Sequence, residues 1–145
     1  MSNKIILICE IGCNHRGDMK TAKEMIKVAA EYCKVDIVKF QKRTNKELLS
    51  NDEYNASHPV PENSYGSTYG EHREKLEFTF EQHKILKKEC EKFNVIYSSS
   101  VWDLNAAVEI VKLNPKLIKI PSATNTDMKL FDFLLRNYEG EIHIS

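Results

Sequence analysis

The sequence lacks a net charge, because 21 basic residues balance 21 acidic ones. Without a basic excess, nothing in the composition favours binding to nucleic acid or to an anionic membrane surface. Long apolar runs are lacking too. No window approaches the ~20 apolar residues of a membrane span, and the apolar run before Glu10 is too short for a signal peptide. The sequence therefore predicts neither a nucleic-acid partner nor a membrane partner.

Cysteine is present but never as a Cys-x-x-Cys pair; the thiols are Cys9, Cys13, Cys33 and Cys90. Cys9 and Cys13 lie close enough in sequence to suggest two metal ligands. However, no second cluster of cysteine or histidine follows at the spacing of a zinc site. Reduced thiols are typical of cytosolic proteins. We therefore predict a cytoplasmic protein whose cysteines bind no metal.

Short apolar runs alternate with amphipathic segments along the whole chain. The runs predict strands over residues 5–8, 35–40, 95–99 and 117–120 and from 142 onwards. The segments between them predict helices that are capped by Asp18 or Thr21, by the pair Thr79 and Gln82, by Asp103, and by Asn125 or Thr126. In the helix after Asp103 the predicted buried residues are Leu104, Ala107, Val108 and Val111, and the last helix is predicted to run through Phe131, Leu134 and Leu135. Strict alternation of this kind predicts a parallel sheet covered by helices.

Two architectures fit such a sheet: an open doubly wound sheet and a barrel of alternating strands and helices. No Gly-x-Gly-x-x-Gly or Gly-x4-Gly-Lys-Ser/Thr motif follows a strand, which weakens the nucleotide-binding open sheet. A complete barrel needs about 250 residues. We therefore expect an α/β fold that forms the N-terminal part, about five β/α units, of a TIM-type (β/α)8 barrel, and we expect the chain to be a fragment.

One segment, residues 43–77, interrupts the alternation without a clear period of its own. A structureless insert of this length inside a compact domain is usually functional or disordered. Its two Tyr-Gly pairs and low net charge argue against disorder. We expect an ordered loop that lies over a site.

Polar residues lie at or just beyond the predicted carboxyl ends of the strands: Glu10, Lys39, Gln41, Ser100, Lys119, Ser122 and Ser145. In parallel α/β folds these ends share one rim, where the chemistry takes place. Lysines and hydroxyls beside helix N-termini suit an anionic, phosphorylated ligand. A carboxylate suits proton transfer or the placement of a water molecule.

Structural explanations remain open for single residues. Glu10 could be the ion-pair partner of a nearby lysine, Ser99 and Ser100 could cap the following helix, and His15 could be a solvated loop residue. Two lysines at matching places in a buried parallel sheet are harder to explain in this way.

Five short motifs resemble, in order, those of the N-acetylneuraminate synthases and of their relatives that make legionaminic or pseudaminic acid. They are Glu-Ile-Gly-Cys-Asn-His-Arg-Gly-Asp (10–18), Val-Lys-Phe-Gln (38–41), Tyr-Ser-Ser-Ser-Val-Trp-Asp (97–103), Lys-Ile-Pro-Ser-Ala (119–123) and Ile-Ser (144–145). Each motif is weak alone, but the five together cover the whole chain.

The resemblance implies condensation of phosphoenolpyruvate with an N-acetylated amino sugar, such as N-acetylmannosamine, to give a sialic-acid-type nonulosonic acid and phosphate. A divalent metal, Mn²⁺ or Mg²⁺, polarises the sugar aldehyde in such enzymes. The family's metal-binding histidines come from later strands, so no metal ligand is expected in this chain, and His15 is not counted as one. The resemblance also implies a homodimer in the full-length form. We expect no counterpart of the family's C-terminal antifreeze-like domain in this chain.

Carried over by motif position, the implied phosphoenolpyruvate-binding residues are Lys39, Ser100, Lys119, Ser122 and Ser145. Gln41 and Asn63 are implied to contact the sugar, and Glu10 is the implied catalytic residue that places the water or the sugar. Two other hypotheses stay open. One is a Schiff-base aldolase on a similar barrel, with Lys39 or Lys119 as nucleophile, and the other is a non-catalytic half-barrel.

Overall fold

The computed structural model describes residues 5–145, which form a five-stranded sheet with helices between the strands. The strands are β1 (Ile8–Gly12), β2 (Ile37–Lys42), β3 (Ile96–Val101), β4 (Leu117–Ile120) and β5 (Glu141–Ile144). The helices are α1 (Met19–Glu31), α2 (Asn45–Leu48), α3 (Asn51–Asn55), α4 (Tyr69–Lys75), α5 (Phe80–Lys92), α6 (Leu104–Lys112) and α7 (Met128–Asn137). Two 3-10 turns cover Pro61–Asn63 and Ser122–Thr124.

All neighbouring strands are parallel, and their order in the sheet follows their order in the chain, β1-β2-β3-β4-β5. The predicted α/β class and the parallel sheet are therefore confirmed. A doubly wound sheet reverses its strand order at a switch point, and the strands of residues 5–145 show no such reversal. The sequential order favours the barrel alternative.

The two faces of the sheet differ because successive residues of a strand point to opposite sides. One face packs against the helices and forms the core, with Val38, Phe40, Tyr97, Ile118 and Ile120 from the strands. The helices contribute Ile26, Leu86, Ile110, Leu130 and Leu134 to the same core. We call the opposite face the polar face; it carries Glu10, Lys39, Gln41, Ser98, Ser100, Lys119, Glu141 and His143.

Three predicted helix caps are confirmed. The carboxylate of Asp18 accepts a hydrogen bond from the Thr21 amide at 2.6 Å, and Thr79 and Gln82 form a reciprocal capping box. Asp103 accepts from the Ala106 amide at 2.8 Å. These side chains satisfy amide groups that have no partner inside the helix. They fix the loops that follow β1 and β3.

The predicted start of the last helix at Asn125 or Thr126 is wrong. Asp127 is the N-cap, because its carboxylate accepts from the amides of Lys129 and Leu130 at 2.9 and 3.2 Å. Residues 122–124 form a 3-10 turn instead.

The predicted bounds of the first three strands lie toward the N-terminus of the observed ones, whereas β4 has the predicted bounds and β5 begins one residue earlier than predicted. Residues 5–8 were expected as the first strand, but β1 begins only at Ile8, where pairing with β2 begins at Ile37. Ile5, Ile6 and Leu7 are half exposed or more. Glu10 is therefore the third residue of β1 rather than its end. The hydrogen-bonded ladders of β2 and β3 continue through polar residues beyond their apolar runs.

The predicted buried residues of α6 are correct only in part. Ala107 is fully buried, Val108 and Val111 are half-buried, and Leu104 is exposed. Helix α7 runs through Phe131, Leu134 and Leu135 as predicted. The residues that complete the buried faces are Ala106, Ile110 and Leu130.

The insert of residues 43–77 contains regular structure, which corrects the expectation of a loop. Helices α2, α3 and α4 and a 3-10 turn occupy it, and the ring of Tyr54 lies where a side chain on Gly70 would be. The end of the insert returns to the loop after β1. There the Lys75 carbonyl contacts the space beside Gly17, a residue with φ of +73°.

Over residues 5–145, none of the helices is both long enough and apolar enough to cross a membrane.

Candidate anion site on the polar face

The strand register brings several of the predicted site residues into two rows on the polar face. Glu10 pairs with Lys39, and Lys39 pairs with Ser98. The next row runs from Gln41 through Ser100 and Lys119 to His143. Paired residues on neighbouring parallel strands lie about 4.8 Å apart and point to the same side. A single small ligand on this face can therefore contact several of them.

Lys39 lies at the centre of these rows, and only 5% of its side chain is exposed. Its ammonium group donates to the Glu10 carboxylate at 2.6 Å and to the Ser100 hydroxyl at 2.9 Å. Glu10 is therefore the ion-pair partner of a lysine, as the structural explanation predicted. An ammonium group has three N–H donors, and the contacts described within residues 5–145 use two of them. The third donor is available to a ligand oxygen.

The electrostatics of Lys39 reflect its burial. Burial lowers the pKa of the Lys39 ammonium below its ordinary value, the hydrogen bond and charge of Glu10 oppose this shift, and the positive charge of Lys119 adds to it. Lys119 is therefore close enough for its charge to affect the pKa of Lys39. Among the ion pairs described in this part of the chain, none involves Lys119. Two cations beside one paired carboxylate leave a local positive excess, which attracts an anion.

Ser122 and Ser145 lie beyond the carboxyl ends of β4 and β5, and both are exposed. Ser122 begins the 3-10 turn Ser122–Thr124. The Ser145 amide donates to the Ile120 carbonyl at 3.3 Å, and its carbonyl accepts from the Asn125 side chain at 3.0 Å. These contacts place the two serines at the same end of neighbouring strands, as predicted. Their side chains have no described contact with Lys39 or Lys119 in residues 5–145.

The two predicted sugar-contacting residues lie in different places. Gln41 is on the polar face next to Ser100. Asn63 is an exposed residue of the turn Pro61–Asn63 in the insert, and no described contact in residues 5–145 brings its side chain to the two rows. The structure therefore brings Gln41 into one row with Ser100 and Lys119 but does not do so for Asn63.

A polar network that the sequence did not reveal supports Gln41. The Gln41 amide donates to the sulfur of Cys13 at 2.6 Å, and the Arg43 guanidinium donates to the same sulfur at 3.3 Å. Arg43 in turn binds Glu77 through its side chain at 2.5 Å and its amide at 3.0 Å. Burial raises the pKa of the Cys13 thiol, although Arg43 opposes that shift. No local pattern marks these residues, because they come from three separate segments.

His15 is a buried structural residue, so its interpretation as a solvated loop residue is wrong. It is 2% exposed, its ring stacks on Phe78 with centroids 4.0 Å apart, and its Nδ1 accepts from the Gly17 amide at 3.0 Å. Burial lowers the pKa of His15 to about 4, so the ring is neutral near pH 7. It packs the loop after β1 against Phe78, which lies just before α5.

The residues present do not form a metal site. Across residues 5–145, no group of three or more histidine, cysteine, aspartate or glutamate side chains is placed to hold a metal ion. Cys9 and Cys13 are both free thiols, and Cys13 is engaged by Gln41 and Arg43.

The fold and the side-chain geometry define the class of this chain: an α/β protein with lysine and serine side chains gathered on one face of a parallel sheet. The family model of the NeuB family matches residues 25–145. The chain belongs to the NeuB family, and the resemblance seen in its motifs is confirmed.

Curated relatives carry names from nonulosonic acid synthesis. The chain is 36% identical to human N-acetylneuraminate-9-phosphate synthase over 121 residues, which cover 80% of this chain and 32% of the human protein. It is 31% identical to N,N'-diacetyllegionaminic acid synthase of Campylobacter jejuni, over 86% of this chain and 37% of that protein. The chain thus spans about a third of the length of the curated relatives it matches.

Solved structures agree on the fold. A putative spore coat polysaccharide biosynthesis protein E from Chromobacterium violaceum superposes with a TM-score of 0.78 at 20% identity, over 97% of this chain and 40% of that one. The N-acetylneuraminic acid synthetase of Leptospira borgpetersenii gives a TM-score of 0.72, also at 20% identity, over 94% and 45%. At such identities the likeness concerns the fold alone.

Proposed function

We propose that this chain supplies the phosphoenolpyruvate-binding part of a synthase that condenses phosphoenolpyruvate with an N-acetylated amino sugar. The products are a sialic-acid-type nonulosonic acid and phosphate. The observation that carries the proposal is the buried Lys39 ammonium, held by Glu10 and Ser100 with Lys119 nearby. Membership of the NeuB family and the names of its relatives support the same chemistry.

In this proposal Lys39 and Lys119 bind the phosphate and carboxylate of phosphoenolpyruvate. Ammonium groups with little exposure bind such anions strongly, because charge-assisted hydrogen bonds gain strength away from water. The hydroxyls of Ser100, Ser122 and Ser145 donate to the same groups. Ser100 already contacts Lys39, so it is placed to share a ligand oxygen with that residue.

The reaction joins C3 of phosphoenolpyruvate to the aldehyde carbon of the sugar. Water then adds at C2, and the tetrahedral intermediate loses phosphate by cleavage of its C–O bond. Glu10 is proposed to place the water or the sugar, because 61% of its side chain is exposed while one oxygen is fixed by Lys39. Gln41 and Asn63 are proposed to contact the sugar, Gln41 with its amide held by Cys13.

A divalent metal, Mn²⁺ or Mg²⁺, belongs to the proposal for the full-length enzyme, but residues 5–145 offer no ligand set for it. The proposal also includes a catalytic barrel of which this chain is the N-terminal part. The full-length form is proposed to be a homodimer in the cytoplasm.

Calorimetric titration of the chain with phosphoenolpyruvate tests the anion site. We expect Lys39→Ala and Lys119→Ala each to weaken binding by about 10- to 100-fold, the effect of losing one charge-assisted contact. Lys84→Ala is the matched control, because Lys84 is an exposed lysine on α5, and it should bind like the wild type. Unchanged affinity in both site variants would contradict the proposal.

A second candidate function is Schiff-base aldol chemistry. The lowered pKa of Lys39 favours it, because a neutral amine is the nucleophile in that reaction. Borohydride trapping with a carbonyl substrate separates the two functions. The synthase predicts no covalent adduct, whereas an adduct on Lys39 or Lys119 would establish the aldolase.

A further inference from the structure

A histidine lies in the same row as three of the proposed ligand-binding residues. In β5, His143 pairs with Lys119 of β4, which pairs with Ser100. Ile142 packs against the core, so its neighbours Glu141 and His143 lie on the opposite, polar face. The histidine therefore extends the row beyond Lys119.

The imidazole of His143 is oriented by its own strand. Its Nε2 lies 2.6 Å from a carboxylate oxygen of Glu141. This contact assigns a proton to Nε2, because the carboxylate can only accept. The Nδ1 atom then has no partner among the contacts described for residues 5–145. The side chain of His143 is 43% exposed, so a ligand can reach the ring.

We propose that His143 is a further ligand-binding residue of the anion site and that it contacts phosphoenolpyruvate as an imidazolium. The inference rests on the proposed function and adds a residue to it. A ligand that contacts Ser100 and Lys119 lies within about one strand spacing of His143, roughly 5 Å between backbones. A protonated ring then donates Nδ1–H to a phosphate or carboxylate oxygen of the ligand.

The proposed contact requires a proton on both ring nitrogens of His143, because Nε2 donates to Glu141 and Nδ1 donates to the anion. A ring that is neutral before binding takes up one proton from solvent at Nδ1 when the anion binds, and no covalent bond forms or breaks. The charged groups that face the ring are Glu141 on its own strand and Lys119 on β4. Glu141 and the ligand stabilise the imidazolium, whereas Lys119 opposes it. Histidine suits this role because its charge changes within the physiological pH range.

Calorimetry of phosphoenolpyruvate binding in buffers of different ionisation enthalpy measures the proton uptake. Near pH 7 we expect the wild-type chain to take up more protons on binding than His143→Asn. We also expect the variant to bind about tenfold more weakly, the effect of one charge-assisted contact. His143→Gln is the second variant in case the first fails to fold. His58→Asn makes the same chemical change in the insert and should match the wild type.

Nuclear magnetic resonance of the unaltered chain gives an independent readout. The ring signals that disappear in His143→Asn should shift when phosphoenolpyruvate is added, while those of His58 should not. If both His143 variants bound phosphoenolpyruvate with the affinity and the proton uptake of the wild-type chain, the role of His143 would be overturned and the proposed function would stand. A wild-type chain that does not bind phosphoenolpyruvate would overturn the proposed function as well, so the two failures are distinguishable.

Discussion

The two faces of the sheet are made from alternate residues of the same strands, yet they have opposite character. On β2, Val38 and Phe40 are fully buried among apolar side chains, while Lys39 and Gln41 between and beside them lie on the polar face. On β4, Ile118 packs in the core and Lys119 does not. One backbone therefore carries both the core and the candidate site, separated only by the period of two.

This division has a physical consequence for the effects of substitution. The helix-covered face contributes stability through apolar burial, which is the dominant favourable term in folding. The polar face carries a buried ammonium, and the burial of a charge opposes folding unless the charge is paired and hydrogen-bonded. Substitutions on the two faces should therefore separate stability from ligand binding.

The largest expected effect is on the core face. Phe40 is 1% exposed and its ring lies 6.0 Å from that of Tyr97. Phe40→Ala should lower the free energy of unfolding by about 3–5 kcal/mol, from lost burial and the cavity left behind. Urea denaturation measures this. Gln41→Ala, one residue further on the other face, should cost about 1 kcal/mol or less, and equal losses in both variants would break the comparison.

Acid should weaken the core face through its two buried histidines. Burial lowers the pKa of His15 to about 4 and that of His83 to about 3, against about 6.5 in the unfolded chain. Both rings are neutral when folded, so their stabilising effect is complete above about pH 6.5 and is lost as pH falls toward the folded pKa values. At pH 5 each of the two histidines should lower the free energy of unfolding by roughly 2 kcal/mol relative to neutral pH.

Urea denaturation at pH 7 and pH 5 measures that loss. In His83→Gln the difference in the free energy of unfolding between the two pH values should shrink by about 2 kcal/mol. An undiminished difference in His83→Gln would show that His83 is not the source.

The sequence predicted those features that depend on local chemistry. The caps at Asp18, Thr79 and Asp103 were predicted because a cap needs a particular side chain at a fixed spacing. All five strands were predicted, but the first three were displaced toward the N-terminus, since an apolar run does not show where the hydrogen-bonded ladder begins and ends. Helices α2 to α4 were missed because segments of 4, 5 and 7 residues do not complete enough turns to show a period.

The candidate site was predictable in part for a similar reason. Lys39, Ser100 and Lys119 were found from their places near strand ends, and the alternation of β5 could also have revealed His143, two residues before Ser145. By contrast, the contact of Cys13 with Gln41 joins segments 28 residues apart. Only the tertiary fold brings such groups together, so no local pattern could have shown it.

The smallest expected effect on stability is that of Lys39→Met, which tests most directly whether the polar face contributes to stability. Lys39→Met replaces the buried ammonium with an apolar side chain of similar length. Buried charges exchanged for apolar groups of similar volume are often neutral or stabilising, and Glu10, left without its partner, is largely exposed and can be solvated. We expect a free energy of unfolding that is unchanged or higher by about 1 kcal/mol, together with a loss of phosphoenolpyruvate affinity.

Urea denaturation and calorimetry on the same protein sample measure both quantities for Lys39→Met. Lys39→Ala is the control for shape, because it removes the charge and also leaves a cavity; it should be less stable than Lys39→Met by about 1–3 kcal/mol. If Lys39→Met itself lost more than about 2 kcal/mol, the ion pair with Glu10 would be a support of the fold. The polar face would then contribute to stability as the core face does, and the division between the two faces would fail at its central residue.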